Sequence, residues 1–269
     1  MARFSDYAIQ GELARGNMGV VFRAYDAVRG CDVALKRLHR AGSAIDAQRF
    51  GVEVAAARRL RHPHVVGIHA AGADEAGLWL VMDLVEGESL FERLQRGPLD
   101  WEQARRIGLQ LADALAHAHA HGVLHRDVKP HNVLLDARGD AHLADFGLAR
   151  LVGDDVRLTQ EGDVLGTPIY MAPEQALAQR DRVGERTDVY GLGATLFHAL
   201  TATPPFYAEQ IDLLLQQVVH DAPRAPSSLV PGIPPSLDAV VLRCLAKPPA
   251  ARYASAEDLG EALRLLGPA

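Results

Sequence analysis

The run His125-Arg126-Asp127-Val128-Lys129-Pro130-His131-Asn132, followed thirteen positions later by Asp145-Phe146-Gly147, limits what this chain can fold into more than any other feature. Asp127, Lys129 and Asn132 put a carboxylate, an ammonium and an amide into one short segment that reads as a loop. A second carboxylate, Asp145, stands just before a glycine. Chemistry at a phosphate needs such a set: a group to orient an attacking hydroxyl, cations at the phosphate oxygens, and oxygen ligands for a divalent metal. A single Asp in a loop is ordinarily a solvated turn former. The information lies in the two pieces together and in their order.

The chain around this run has 269 residues, enough for one or two domains with a large core. An apolar fraction of 48% argues for a folded, globular chain. A net charge of −6 speaks against nucleic-acid binding driven by phosphate neutralisation. Cys31 and Cys244 are the only cysteines, too few for a disulfide framework or a thiolate metal site. No signal peptide and no apolar run of membrane-spanning length is visible. The chain stops soon after a helix-like stretch, as a domain cut from a longer protein would.

Residues 7 to 39 alternate apolar and polar positions around glycines, which predicts antiparallel strands. Among them, Ala14-Arg15-Gly16-Asn17-Met18-Gly19-Val20-Val21 is either an ordinary hairpin turn or a loop whose glycines let backbone approach a phosphate. Val33-Ala34-Leu35-Lys36 reads as a strand ending in a lysine, by default a snorkelling edge residue. Ser43 and Asp46 resemble a capping box, and Phe50, Val54, Ala57 and Leu60 share a helical face that Glu53 neighbours. Leu78 to Met82 predicts a buried strand and Asp83 to Gly87 a connector. Asp100 suits the N-cap of a helix whose buried stripe is Ala104, Ile107, Leu111, Leu115 and Ala118. His117 and His121, at i and i+4, could pair on a metal, but no third ligand is apparent, which leaves structural histidines as the default. Residues 148 to 171 read as a mobile loop. From Thr187 the chain predicts helices over 189–200, 208–220, 237–245 and 256–266, separated by proline-rich breaks.

Taken in order, Gly16-x-x-Gly19-x-Val21, Val33-Ala34-Leu35-Lys36, Glu53, His125-Arg126-Asp127, Asn132, Asp145-Phe146-Gly147, Ala172-Pro173-Glu174, Asp188 and Arg252 resemble the motif series of protein kinases along almost the whole chain. The resemblance is to bacterial, eukaryotic-like (Hanks-type) Ser/Thr kinases. It implies an α+β, two-lobed protein kinase fold. Residues 1–82 would form an N-lobe of antiparallel sheet plus one helix, 83–87 a hinge, and 88–269 a mainly helical C-lobe. ATP would lie between the lobes, with Mg²⁺ as the metal and Mn²⁺ as an alternative. Ala14, Gly16 and Gly19 would belong to the phosphate loop; Val21, Ala34 and Leu134 would sandwich the adenine. Met82 would stand behind it, and the backbone of Asp83 and Val85 would bind its edge. Lys36 would hold the α- and β-phosphates and Glu53 would hold Lys36. Asn132 and Asp145 would ligate the metal, Asp127 would orient the substrate hydroxyl, and Lys129 would steady the transferred phosphate. Glu174 and Arg252 would form a buried structural pair, and Asp188 would brace the catalytic loop.

Lys129 with Gly166-Thr167-Pro168 is similar to the Ser/Thr rather than the Tyr pattern. Two positions depart from the family: Ala14 stands where a glycine is usual, and Ala57 where many kinases carry a larger residue. Arg126, next to Asp127, resembles the arginine that makes such enzymes respond to a phosphate on the following loop. Thr159 is the candidate acceptor, and Glu161 would stand in for a second phosphate. The partners implied are protein substrates, with a homodimer as one route to trans-autophosphorylation, and neither nucleic acid nor a membrane segment. The place implied is the cytoplasm, either as a free chain or as the cytoplasmic domain of a longer, membrane-anchored protein. Two rivals share the nucleotide machinery: a small-molecule phosphotransferase, against which the segment 166–174 speaks, and a catalytically dead binding module, against which Lys36, Asp127, Asn132 and Asp145 speak.

Overall fold

Strand β5 (Gly77–Asp83) is buried along nearly its whole length and organises the first part of the molecule. In this computed structural model, which describes residues 3–16, 19–39, 44–146 and 168–266, β5 lies between β3 (Cys31–Leu38) and β4 (Ile68–Asp74). Strands β1 (Tyr7–Gly16) and β2 (Gly19–Asp26) complete a five-stranded antiparallel sheet of order β1-β2-β3-β5-β4. The unbroken apolar run of β5 is that of a strand covered on both faces. One face packs Tyr7, Ala24, Val33, Leu35, Trp79 and Val81 into a small cluster. The other face sends Ala34, Leu80 and Met82 into the main core. Helix α1 (Ala44–Ala57) covers that side through Phe50, Val54 and Ala57, the stripe expected from the sequence. The Ser43 cap expected for α1 lies outside the described residues.

After β5 the chain passes through residues 84–86 into β6 (Gly87–Ser89), which pairs with β7 (Val133–Asp136). Strand β7 in turn pairs with β8 (Ala141–Leu143), giving a second, three-stranded sheet that sequence reasoning did not foresee. Helix α2 (Leu90–Leu94) starts in a capping box, in which Ser89 Oγ accepts from Glu92 N and Glu92 Oε2 accepts from Ser89 N. Helix α3 (Trp101–Ala120) is capped by Asp100, which accepts from Gln103 N at 2.8 Å, and buries the predicted stripe. An isolated parallel bridge joins Val65, three residues before β4, to Leu143 of β8.

The remainder is helical: α4 (Pro173–Ala176), α5 (Glu185–Thr201), α6 (Ile211–His220), α7 (Pro235–Cys244) and α8 (Ala256–Leu265). Helix α5 is buried on every side from Thr187 to Thr201, so it is the axis on which this half is built. Its glycines permit that burial. A Cβ on Gly191 would press on Val128 at 3.0 Å, and one on Gly193 would collide with Cys244. The first contact sets how closely α5 approaches the segment that carries Asp127.

Candidate active site

The segment 125–132 is clamped from α5. Asp188 accepts from the backbone N–H of His125 (2.9 Å) and of Arg126 (2.6 Å), and His119 Nε2 meets the same carboxylate at 2.8 Å. Two consecutive N–H groups can converge on one carboxylate only if the chain bends sharply, and Arg126 takes a left-handed backbone conformation, φ 68°. For a residue with a Cβ such a conformation is costly and needs surroundings that hold it. His125, fully buried, completes the clamp: its Nδ1 accepts from Asp127 N (3.2 Å), which leaves Nε2 to donate to Ala144 O (2.8 Å). One imidazole thus links the loop of Asp127 to the loop of Asp145.

Inside the clamp the polar groups gather. Lys129 Nζ lies 2.7 Å from Asp127 Oδ2. Asn132 Nδ2 donates to Asp127 O (2.7 Å) and Oδ2 (3.0 Å). Ala144 N donates to Asn132 O at 2.8 Å, which brings Asp145 beside the group. Asp145 is again left-handed, φ 65°, and turns its carboxylate toward the first sheet, where Lys36 Nζ donates to Oδ2 at 2.5 Å. Burial by itself would raise the Asp145 carboxyl; the Lys36 ammonium, with smaller help from His125 and Lys129, outweighs it and holds the group below its usual range. The carboxylate form therefore persists. Its other oxygen, Oδ1, is buried with no hydrogen-bond partner among the described residues.

Lys36 reaches this point because β3 pairs it with Val21 on one side and Leu80 on the other. Val21, Ala34, Met82, Val85 and Leu134 share one hydrophobic cluster between the sheets. Asp83 ends β5, and its carboxylate accepts from Gly67 N at 2.8 Å and meets His69 Nε2 at 2.7 Å, which fixes the start of the connector. Ala14 is exposed and pairs with Val21 across β1 and β2. Gly19 has a packing reason of its own, since a Cβ there would collide with the Arg37 carbonyl; a Cβ at Gly16 would meet nothing within 4 Å. Glu53 lies half-buried on α1.

A family profile described as the protein kinase domain matches residues 7–262. The chain belongs to the protein kinase family. Among its curated relatives, serine/threonine-protein kinase PknH of Mycobacterium bovis is 42% identical over 259 residues, covering 95% of this chain and 43% of the relative. PknE of Mycobacterium tuberculosis is 40% identical over 263 residues, covering 97% of this chain and 46% of the relative. The chain thus spans less than half the length of these relatives. A crystal structure of the Mycobacterium tuberculosis PknI kinase domain superposes with a TM-score of 0.79 at 29% identity, covering 98% of this chain and 96% of that one.

The kinase fold explains the supports around the site. Glu174 and Arg252 form a bidentate pair, 2.7 and 2.8 Å, and Thr187 Oγ1 donates to the same Glu174. Gln175 Nε2 donates to Arg126 O at 2.8 Å and fastens α4 to the clamp. Tyr170 O–H bonds His198 Nδ1 at 2.7 Å, and Phe91 stacks on His131, centroids 3.8 Å apart. Burial, then the Lys129 ammonium, lowers the His131 pKa. Sequence reasoning missed Gln175, Phe91 and His198, because each acts from an element distant along the chain, and it took His119 only as a structural histidine, since its partner Asp188 lies 69 positions on. His117 and His121 pack ring to ring (4.4 Å) with His62 stacked beyond (5.2 Å), and among the described residues no cluster of three metal-ligating side chains forms. Thr159, Glu161, Gly166 and Thr167 lie outside the described residues.

Proposed function

We propose that the chain is an ATP-dependent Ser/Thr protein kinase, which transfers the γ-phosphate of ATP to Ser and Thr hydroxyls of proteins. The observation that carries this is the convergence of Asp127, Lys129 and Asn132 with the Lys36–Asp145 pair at one cleft. Asp127 Oδ1 or Oδ2 orients the hydroxyl and takes its proton as the oxygen bonds to the γ-phosphorus and the bond to the ADP oxygen breaks. Lys129, already beside Asp127, neutralises charge on the transferred group. Lys36 holds the α- and β-phosphates, with Glu53 as its orienting partner in the productive arrangement. Val21, Ala34 and Leu134 enclose the adenine, Met82 backs it, and the backbone of Asp83 and Val85 binds its edge. Gly16 and Gly19, with Ala14 beside them, form the loop over the phosphates.

The donor set fits a divalent cation. Asp145 Oδ1 is a buried anionic oxygen without a hydrogen-bond partner among the described residues, and Asn132 is held through its Nδ2, which leaves its oxygen available. A hard cation such as Mg²⁺ takes such ligands, and when bound it would neutralise phosphate charge. The finer reading concerns regulation. Arg126 Nε is buried without a hydrogen-bond partner among the described residues, which suits a phosphate arriving from the loop that carries Thr159. Trans-autophosphorylation there would use a second copy. Among the described residues no helix is long and apolar enough to cross a membrane.

The test is transfer of labelled phosphate from ATP to casein and to the chain itself, followed by phosphosite mapping. Phosphate on Ser and Thr is expected, with Thr159 among the sites. Asp127→Asn should bind ATP nearly as the parent does while turnover falls by about 10² or more. Near-parental turnover in that variant would overturn the assignment. An unmodified Thr159 in fully active protein would remove the switch and leave the activity standing.

A further inference from the structure

A cavity of about 450 Å³ lies between β6, α2, α3 and the turn joining β7 to β8, lined by none of the groups placed at the active site. Its floor is apolar: Leu99, Ile107 and Leu135 line it and are buried. Leu135 follows Leu134 in β7, so the two side chains point to opposite faces, one toward the cleft and one toward this cavity. Around the mouth stand three guanidinium groups, Arg93 and Arg96 near α2 and Arg106 on α3.

The two carboxylates that line the cavity are already engaged. Both oxygens of Glu88 are held by Arg96. Asp136 Oδ1 accepts from Arg138 N and Asp140 N, and Oδ2 meets His142. Arg106 is partly engaged, by Gly139 O at 2.9 Å and Asp140 at 3.4 Å. Arg93 is different: half-buried, it donates to Gly97 O at 3.3 Å and has no ion-pair partner among the described residues. Glu88 feels the Arg93 charge, but Arg96 holds both of its oxygens, so Arg93 has no carboxylate of its own among the described residues, which stands out on a chain of net charge −6.

We propose that this cavity is a docking site for an acidic peptide segment of a partner protein, with an apolar side chain seated on Leu99, Ile107 and Leu135 and a flanking carboxylate on Arg93. The charge identifies the sign of the partner, and the floor requires an apolar anchor beside that charge. Cations on two different elements favour an extended segment with several carboxylates over an isolated small anion.

The test is fluorescence anisotropy of the whole chain with a labelled peptide of alternating glutamate and leucine. Two control peptides replace every glutamate by lysine or every leucine by serine. Saturable binding of the first peptide is expected, with each control at least about tenfold weaker. Arg93→Glu, and Gln103→Trp at the exposed mouth, should each weaken binding by about tenfold or more with an unchanged thermal melt. Binding of the leucine peptide that does not saturate would overturn the proposal. Equal binding of the serine peptide would do the same, since surface charge alone would then explain it, as would parental affinity in both variants.

Discussion

Two of the ion pairs among the described residues, Arg252–Glu174 and Lys36–Asp145, are built to opposite specifications. Arg252 and Glu174, with side chains 0% and 1% exposed, sit at the base of the helical lobe. Every donor nitrogen of that guanidinium is engaged: Nε by Ala246 O, Nη1 by Glu174 and Arg186 O, Nη2 by Glu174 and Lys247 O. Lys36 and Asp145, 7% and 17% exposed, face the cleft, and there one carboxylate oxygen is buried with no hydrogen-bond partner among the described residues. A buried charge that is fully hydrogen-bonded adds rigidity and specifies one arrangement, whereas a half-satisfied one is unstable unless something else completes it. The first pair is a structural tie. The second is incomplete among the described residues, as the cation and phosphate site proposed above requires.

The largest effect should come from breaking the satisfied pair. Arg252→Met leaves Glu174 buried and unpaired and should cost about 3–5 kcal/mol of folding stability, read from denaturant unfolding. Stability within about 1 kcal/mol of the parent would show that the tie is ornamental.

Next is the pH dependence of the Tyr170–His198 contact in the same lobe. Burial, then His131, lowers the His198 imidazole to about 4 from 6.5. The native state therefore keeps it neutral, while the unfolded chain takes up a proton as pH falls below about 6.5. The group's contribution is present above that value and is lost between about 6.5 and 4. It should make the protein about 2 kcal/mol less stable at pH 5 than at pH 7. His198→Gln should flatten that part of the profile, and an unchanged slope would refute the neutral assignment.

The cleft pair should respond the other way from the base. Asp145→Asn should lower phosphotransfer by about 10² or more, yet cost less than about 1.5 kcal/mol of stability, because the site is already unsaturated. If it unfolds the protein as Arg252→Met does, the contrast between the two pairs fails. The smallest effect belongs to a local cap: Asp100→Ala should cost about 1 kcal/mol through the freed Gln103 N–H, detectable as a lowered melting temperature with activity retained.

Much of the fold was legible in the sequence, because it is written in local periods. The buried run 78–82, the Asp100 cap, the stripe on α3 and the helices after 187 each depend on residues within a few turns of one another. Their ends moved only slightly: the helix expected over 189–200 extends to Glu185–Thr201, since polar Thr187 and Asp188 are buried in its first turn. The short strands β6, β7 and β8 were not legible, since three or four residues carry too little periodicity to register.

The sequence by itself also determined the chemical inventory. Asp127, Lys129 and Asn132 are close in the chain and must be close in space, and Asp145 and Lys36 are identified by their motifs. Only the tertiary structure decided how these groups are held and charged. Asp188 reaches from α5 to two backbone N–H groups, His125 bridges two loops, and Lys36 meets Asp145 across the boundary between the sheets. Such contacts join residues far apart in the chain, and no local pattern encodes them. The direction of the Asp145 shift depends on burial opposed chiefly by the Lys36 ammonium, and the charge of Arg93 matters only because the fold sets it at a cavity where Arg96 already holds the Glu88 carboxylate.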